Sequence, residues 1–209
     1  MLRFMYSLLF ISTALMLAAF YYTHWASATD QLRASAALGD AGSQYTLARK
    51  LSRGEGIAED QVAAVAWFRK SAEGGDTKAQ LTMARLYFTG EGVAKDPMRG
   101  AMWLRRAADK GDSFAQALMG MITLGGIGVA QDPYGALEWY NKSQEPEAQQ
   151  LAHALQEDLM KIDAKPEAER ADALEAFKAQ KLLFIQNVFQ KLMLRMKRHE
   201  NRRDPLDGN

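Results

Sequence analysis

A step of 36 residues dominates this sequence. Gly39, Gly75 and Gly111 stand one step apart, and each is followed by an aspartate. The same step links Gly54, Gly90 and Gly126, then Gly56, Gly92 and Gly128, then Asp60, Asp96 and Asp132, then Trp67, Trp103 and Trp139. A fixed period of this length marks stacked supersecondary units, each unable to bury its apolar face alone. It confines the chain to the all-α class. The expected architecture is a short α-solenoid of about three helix-turn-helix repeats at 39–74, 75–110 and 111–146, preceded by a half repeat at 29–38.

Each unit reads physically as two helices. Asp40, Asp76 and Asp112 are placed to cap a first helix, accepting its free N–H groups and complementing its dipole. The glycine before each ends the previous helix, where a left-handed backbone is needed. The first helix stops at Gly-x-Gly, and Asp60, Asp96 and Asp132 cap the second. Pro97 and Pro133 follow two of these caps, where a missing N–H costs nothing. Small residues recur at Ala48, Ala84 and Gly120 and at Ala72 and Ala108, allowing close helix approach, and the tryptophans are expected as core wedges.

On these residues the chain resembles the Sel-1-like repeats, relatives of the tetratricopeptide repeats. The middle unit carries the pattern throughout: Ala79, Met83-Ala84, Tyr87, Gly90, Gly92-Val93, Asp96, Trp103, Ala107-Ala108 and Gly111. The first unit departs at Ser43 and Leu51, the third at Thr123 and Ser143-Gln144. The resemblance covers about half of the chain. It implies an adaptor with no shared catalytic activity, in assemblies such as bacterial envelope, motility and host-interaction systems and eukaryotic membrane-protein quality control.

The flanks are legible too. Leu151, Leu155 and Leu159 fall one period after Ala115, Met119 and Thr123, so 147–165 reads as the first helix of a degenerate fourth unit. At the other end, an apolar run from Phe4 to Tyr22 follows Arg3. Nineteen helical residues span ~28 Å, close to the hydrocarbon core of a bilayer. Tyr21, Tyr22 and Trp25 supply an interfacial aromatic belt. Residues 1–28 are therefore expected to be a transmembrane anchor with the N-terminus cytoplasmic; a secretory signal cleaved near Ala26-Ser27-Ala28 is the alternative. Either sends the repeats out of the cytoplasm, in a bacterium to the periplasmic side of the inner membrane.

The net charge of +1 conceals an asymmetry: residues 178–203 carry eight basic side chains against Glu200 alone, whereas 147–177 carry eight acidic and three basic. Within 166–209, Glu167 to about His199 reads as one long amphipathic helix begun by Pro166. Its stripe comprises Leu174, Phe177, Leu182, Ile185, Phe189, Leu192 and Met196, widened by Leu183, Phe184, Val188 and Met193. Three uses are open. The helix caps the last repeat, whose Leu118, Met121 and Ile122 replace polar or mixed residues of earlier units. Alternatively Leu182, Ile185, Phe189, Leu192 and Met196 zip to a partner or a second copy. Or the basic end, with Arg195, Lys197 and Arg198, lies on an anionic membrane.

Chemistry is sparse. There is no cysteine, and His24, His153 and His199 are scattered without metal-ligand spacing. The glycine-rich turns follow helices and lack a phosphate-binding lysine. No enzyme, cofactor, metal or nucleic-acid role is expected. The expected role is a non-catalytic scaffold for membrane or envelope proteins; a lipid-surface protein and a regulatory subunit of an envelope enzyme are the alternatives. Partner-binding groove candidates on the first helices are Gln44, Arg49, Arg53, Gln80, Arg85 and Gln116, with Leu118, Met121 and Ile122 at the far end. A groove basic at one end and apolar at the other suits an acidic amphipathic peptide, or the protein's own C-terminal helix.

Overall fold

The computed structural model describes residues 28–200, together with Met16 alone upstream; the side chains of 28, 183 and 194–200 lie outside that description. The apolar run at 4–22 and the cleavage site at 26–28 therefore fall outside the described structure, as do the side chains of Arg195, Met196, Lys197 and Arg198. Among the described residues no helix is long and apolar enough to cross a membrane.

The order is α1 (Ala28–Ala37), α2 (Ala41–Arg53), α3 (Gln61–Glu73), α4 (Thr77–Thr89), α5 (Pro97–Asp109), α6 (Ser113–Gly125), α7 (Pro133–Lys142), α8 (Pro146–Asp163) and α9 (Glu167–Glu200). Six aspartates start the helices of the three units. Asp40, Asp76 and Asp112 accept the backbone N–H three residues on at 2.7 Å, and Asp60, Asp96 and Asp132 do so at 2.9, 3.1 and 3.0 Å. Bonds from the Ser43 side chain and backbone hold the Asp40 carboxyl below its ordinary pKa. First helices end on Gly54, Gly90 and Gly126 in the left-handed region, the conformation glycine takes without steric cost.

Helices pair within a unit (α2 with α3, α4 with α5, α6 with α7) and between units (α1 with α2, α3 with α4, α5 with α6), and α8 extends the stack beyond α7. Small residues set the spacing. Ala48, Ala84, Ala79, Ala107 and Ala115 are all buried. In the third unit a Cβ added to Gly120 would sit 2.6 Å from the Tyr140 ring. By period the pair corresponds to Ala48 with Phe68 and Ala84 with Leu104, so the third unit joins the bulkiest ring to the residue without a side chain. Of the tryptophans, Trp103 is buried, while Trp67 and Trp139 are only half-buried. Each carries a cation one turn on: Lys70, Arg106 and Lys142 stand 4.4–4.5 Å from their ring centroids.

The long helix α9 is part of the core. It packs chiefly on α6, with further contacts to α4 and α8, all first helices of their units. Phe189 and Met193 belong to the core cluster of the first three units, and Phe177 and Ile185 to the cluster formed with α7 and α8.

Candidate protein-interaction surface

The three glutamines expected in the groove turn inward. Nε2 of Gln44 donates to the Ala36 carbonyl at 3.0 Å; Gln80 and Gln116 donate to Ala72 and Ala108 at 3.2 Å. Each carbonyl also accepts the N–H of the turn glycine, Gly39, Gly75 or Gly111. The glutamines thus tie each first helix to the end of the preceding second helix. They stand 36 residues apart, so they belong to the repeat; the period itself was the signal that marks them as structural and not as groove contacts. Gln80→Ala should cost about 1–2 kcal/mol, the range for a buried hydrogen bond. Urea unfolding of the intact chain checks this, through a lower midpoint at unchanged slope.

The apolar candidates are covered as well. Leu118 and Ile122 are fully buried and Met121 partly so, within the clusters that α9 joins. Of the two occupants expected for this apolar end, an acidic amphipathic peptide or the chain's own C-terminal helix, the structure places the chain's own helix there. The contact is close because Gly125 has no side chain, and a Cβ there would lie 2.7 Å from Ile185 Cγ2. Phe189 meets Phe88 edge-on, with centroids 4.9 Å apart and planes at 83°. Gln131 Nε2 bridges the Leu124 carbonyl at 2.9 Å and the Lys178 carbonyl of α9 at 3.0 Å. Lys181 reaches Asp158 of α8 at 3.1 Å.

Within the proposed heptad stripe, Ile185 and Phe189 are therefore engaged in cis, Leu192 is half-buried, and Leu182 is 37% exposed. Met193, placed by the sequence on the flank of the stripe, is buried at 3%. The stripe faces a curved, multi-helix surface, so its buried positions follow that surface and not a two-helix seam.

The arginines occupy different ground. Arg85 is buried and meets Glu91 Oε2 at 2.9 Å. Arg53 stands 3.4 Å from Glu55. Both line a cavity of roughly 360 Å³ at the boundary of the first two units, with Arg49, Tyr45 and Phe68. One period on, Arg85 and Glu91 become Met121 and Ile127, which pack in the clusters around α9. The ion pair persists where water reaches it and gives way to apolar residues where α9 covers the site. Among the described residues no group of three histidine, aspartate or glutamate side chains is placed to hold a metal. His153 is exposed on α8.

The Sel1 repeat model matches residues 41–76, 77–112 and 113–143. No curated protein matches the chain significantly. Among solved structures, the chain is similar to a Sel1 repeat protein from Oxalobacter formigenes, with 35% identity and a TM-score of 0.57, covering 59% of this chain and 96% of that one. It also aligns with a protective antigen of uropathogenic Escherichia coli strains displaying an SLR fold, at 24% identity and a TM-score of 0.36, over 93% of this chain and about half (49%) of the antigen. With three tandem repeats matched and a relative spanned almost end to end, the chain belongs to the Sel1 repeat family.

Proposed function

We propose that this chain is a non-catalytic adaptor that assists assembly or regulation of a bacterial envelope complex. Residues 4–22 anchor it in the inner membrane, with the N-terminus cytoplasmic and the repeats in the periplasm. Sel1 repeat proteins generally mediate protein–protein interaction, and solenoids do so through extended helical surfaces. The observation that carries the reading is the position of α9. It packs on the first-helix face over α4 and α6, and among the described residues no residue of α9 lines the cavity at the boundary of the first two units.

Two measurements test it. Alkaline phosphatase fused behind the repeats is expected to be active and green fluorescent protein fused there to be dark; the opposite pattern would refute the orientation. Detergent-solubilised full-length protein is expected to recover a discrete, stoichiometric set of envelope proteins. The full chain is required, because ending it at Pro166 would uncover Leu118, Ile122 and Phe88 and report on folding instead of binding.

A further inference from the structure

We propose that the boundary between the first and second units is a docking surface for an acidic, extended peptide segment of a protein partner. This rests on the adaptor reading and specifies the chemistry of what it holds. Two cavities of roughly 360 and 570 Å³ adjoin there and share Val65 and Gly92 as a common wall. Arg49, Arg53 and Arg85 line the first, Arg69, Lys95 and Arg99 the second. The linings hold two carboxylates, Glu91 with Arg85, and Asp96 with the cap of α5 and with Arg99 at 3.2 Å; Glu55 beside the first cavity meets Arg53 at 3.4 Å, so the cations outnumber the carboxylates six to three. The repeats as a whole (29–146) balance at 14 acidic and 14 basic residues. The positive excess is therefore local, and like-signed charge lining a cleft attracts the opposite charge.

Apolar positions lie between the cations. Val62 is 82% exposed at the rim, Val65 and Val93 line the second cavity, and Tyr45 and Phe68 line the first. A ligand with carboxylates alternating with aliphatic side chains meets both features, and an extended segment laid across the shared wall reaches both cavities. Gly92 keeps the shared wall low: a Cβ there would press on Val65 Cγ2 at 3.0 Å.

The next boundary lacks these properties. One period on, Arg53, Arg85, Lys95 and Arg99 become Thr89, Met121, Gln131 and Gly135, leaving only Arg85 and Arg105 of the six. Gln131 there is spent on the Lys178 carbonyl of α9. The cationic set thus belongs to one boundary and is not a general trait of the repeat.

The test uses full-length protein in detergent and a fluorescein-labelled eight-residue peptide in which aspartate and glutamate surround one valine and one leucine, read by anisotropy. The acidic peptide is expected to bind, with affinity falling ~10-fold or more between about 0.05 and 0.3 M salt as screening shortens. Arg69→Glu combined with Lys95→Glu is expected to weaken it at least ~10-fold. Both side chains are exposed, so the melting temperature should not move. Lys161→Glu with Lys165→Glu, on exposed positions of α8 and the turn after it, is expected to leave affinity unchanged. Equal binding by an analogue with every carboxylate made an amide would overturn the proposal, as would unchanged affinity in the Arg69/Lys95 variant. Displacement of the peptide by phosphatidylglycerol vesicles, with no displacement by neutral vesicles, would overturn it in favour of lipid headgroups. Co-purification separates the two readings: envelope partners retained by the Arg69/Lys95 variant leave the adaptor standing and remove this surface.

Discussion

Gly128→Ala is expected to destabilise the intact chain by roughly 3–5 kcal/mol, the sum of left-handed strain and overpacking. Gly92→Ala and Gly56→Ala should cost about 1–2 kcal/mol, mainly the strain. All three glycines hold the same repeat position with nearly identical backbones, φ of +73°, +68° and +72°. Their surroundings differ. A Cβ on Gly128 would lie 2.1 Å from the Pro97 carbonyl oxygen, which is backbone at the start of α5 and cannot rotate aside. At Gly92 the neighbour is a valine methyl, and at Gly56 no described atom lies within 4 Å. At ~2–4 °C per kcal/mol for a chain of this size, Gly128→Ala should lower the melting temperature by on the order of 10 °C. Three equal shifts in calorimetry would show that the third turn does not rest on the preceding unit.

Phe189→Ala is expected to cost about 3–5 kcal/mol, the usual range for emptying a buried phenylalanine site. Phe189 is 4% exposed, stands edge-on to Phe88, and joins the core of the first three units from a helix that begins about twenty residues beyond the last of them. Leu182→Ala, in the same stripe and at a comparable heptad position, should cost less than about 1 kcal/mol because its side chain already meets water. Chemical denaturation distinguishes the two. If both substitutions were equally mild, α9 would not be a core helix in solution; if both were equally severe, the stripe would be buried along its whole length, as in a helical seam.

The two expectations also mark the boundary of what sequence reading reaches here. Helix starts, turns and unit order were legible because each is set by a local rule. An aspartate that caps, a glycine that turns left-handed and a proline that opens a helix act within four residues of themselves, and the period repeats them three times. The glutamines at 44, 80 and 116 are equally periodic; their place on the first helices suggests the groove, and in the structure their side chains bond to carbonyls of the preceding helix. Polarity alone does not distinguish a side chain that faces water from one that satisfies a buried carbonyl eight residues back.

By itself, the sequence determined the secondary structure, the stacking unit and its family, because these follow from spacing along the chain. It also narrowed the use of the last helix to three, through the unusual Leu118, Met121 and Ile122. Only the tertiary structure decided among the contacts of that helix. Whether Ile185 reaches Gly125, whether Phe189 reaches Phe88, and which of three equivalent glycines is pressed against a carbonyl depend on how far each unit turns relative to the last. That geometry accumulates across all the interfaces between units, and no single stretch of sequence encodes it. The unequal surroundings of equal repeat positions are its consequence: one boundary is apolar and covered by α9, and the other, among the described residues, is lined by six cations and by no residue of α9.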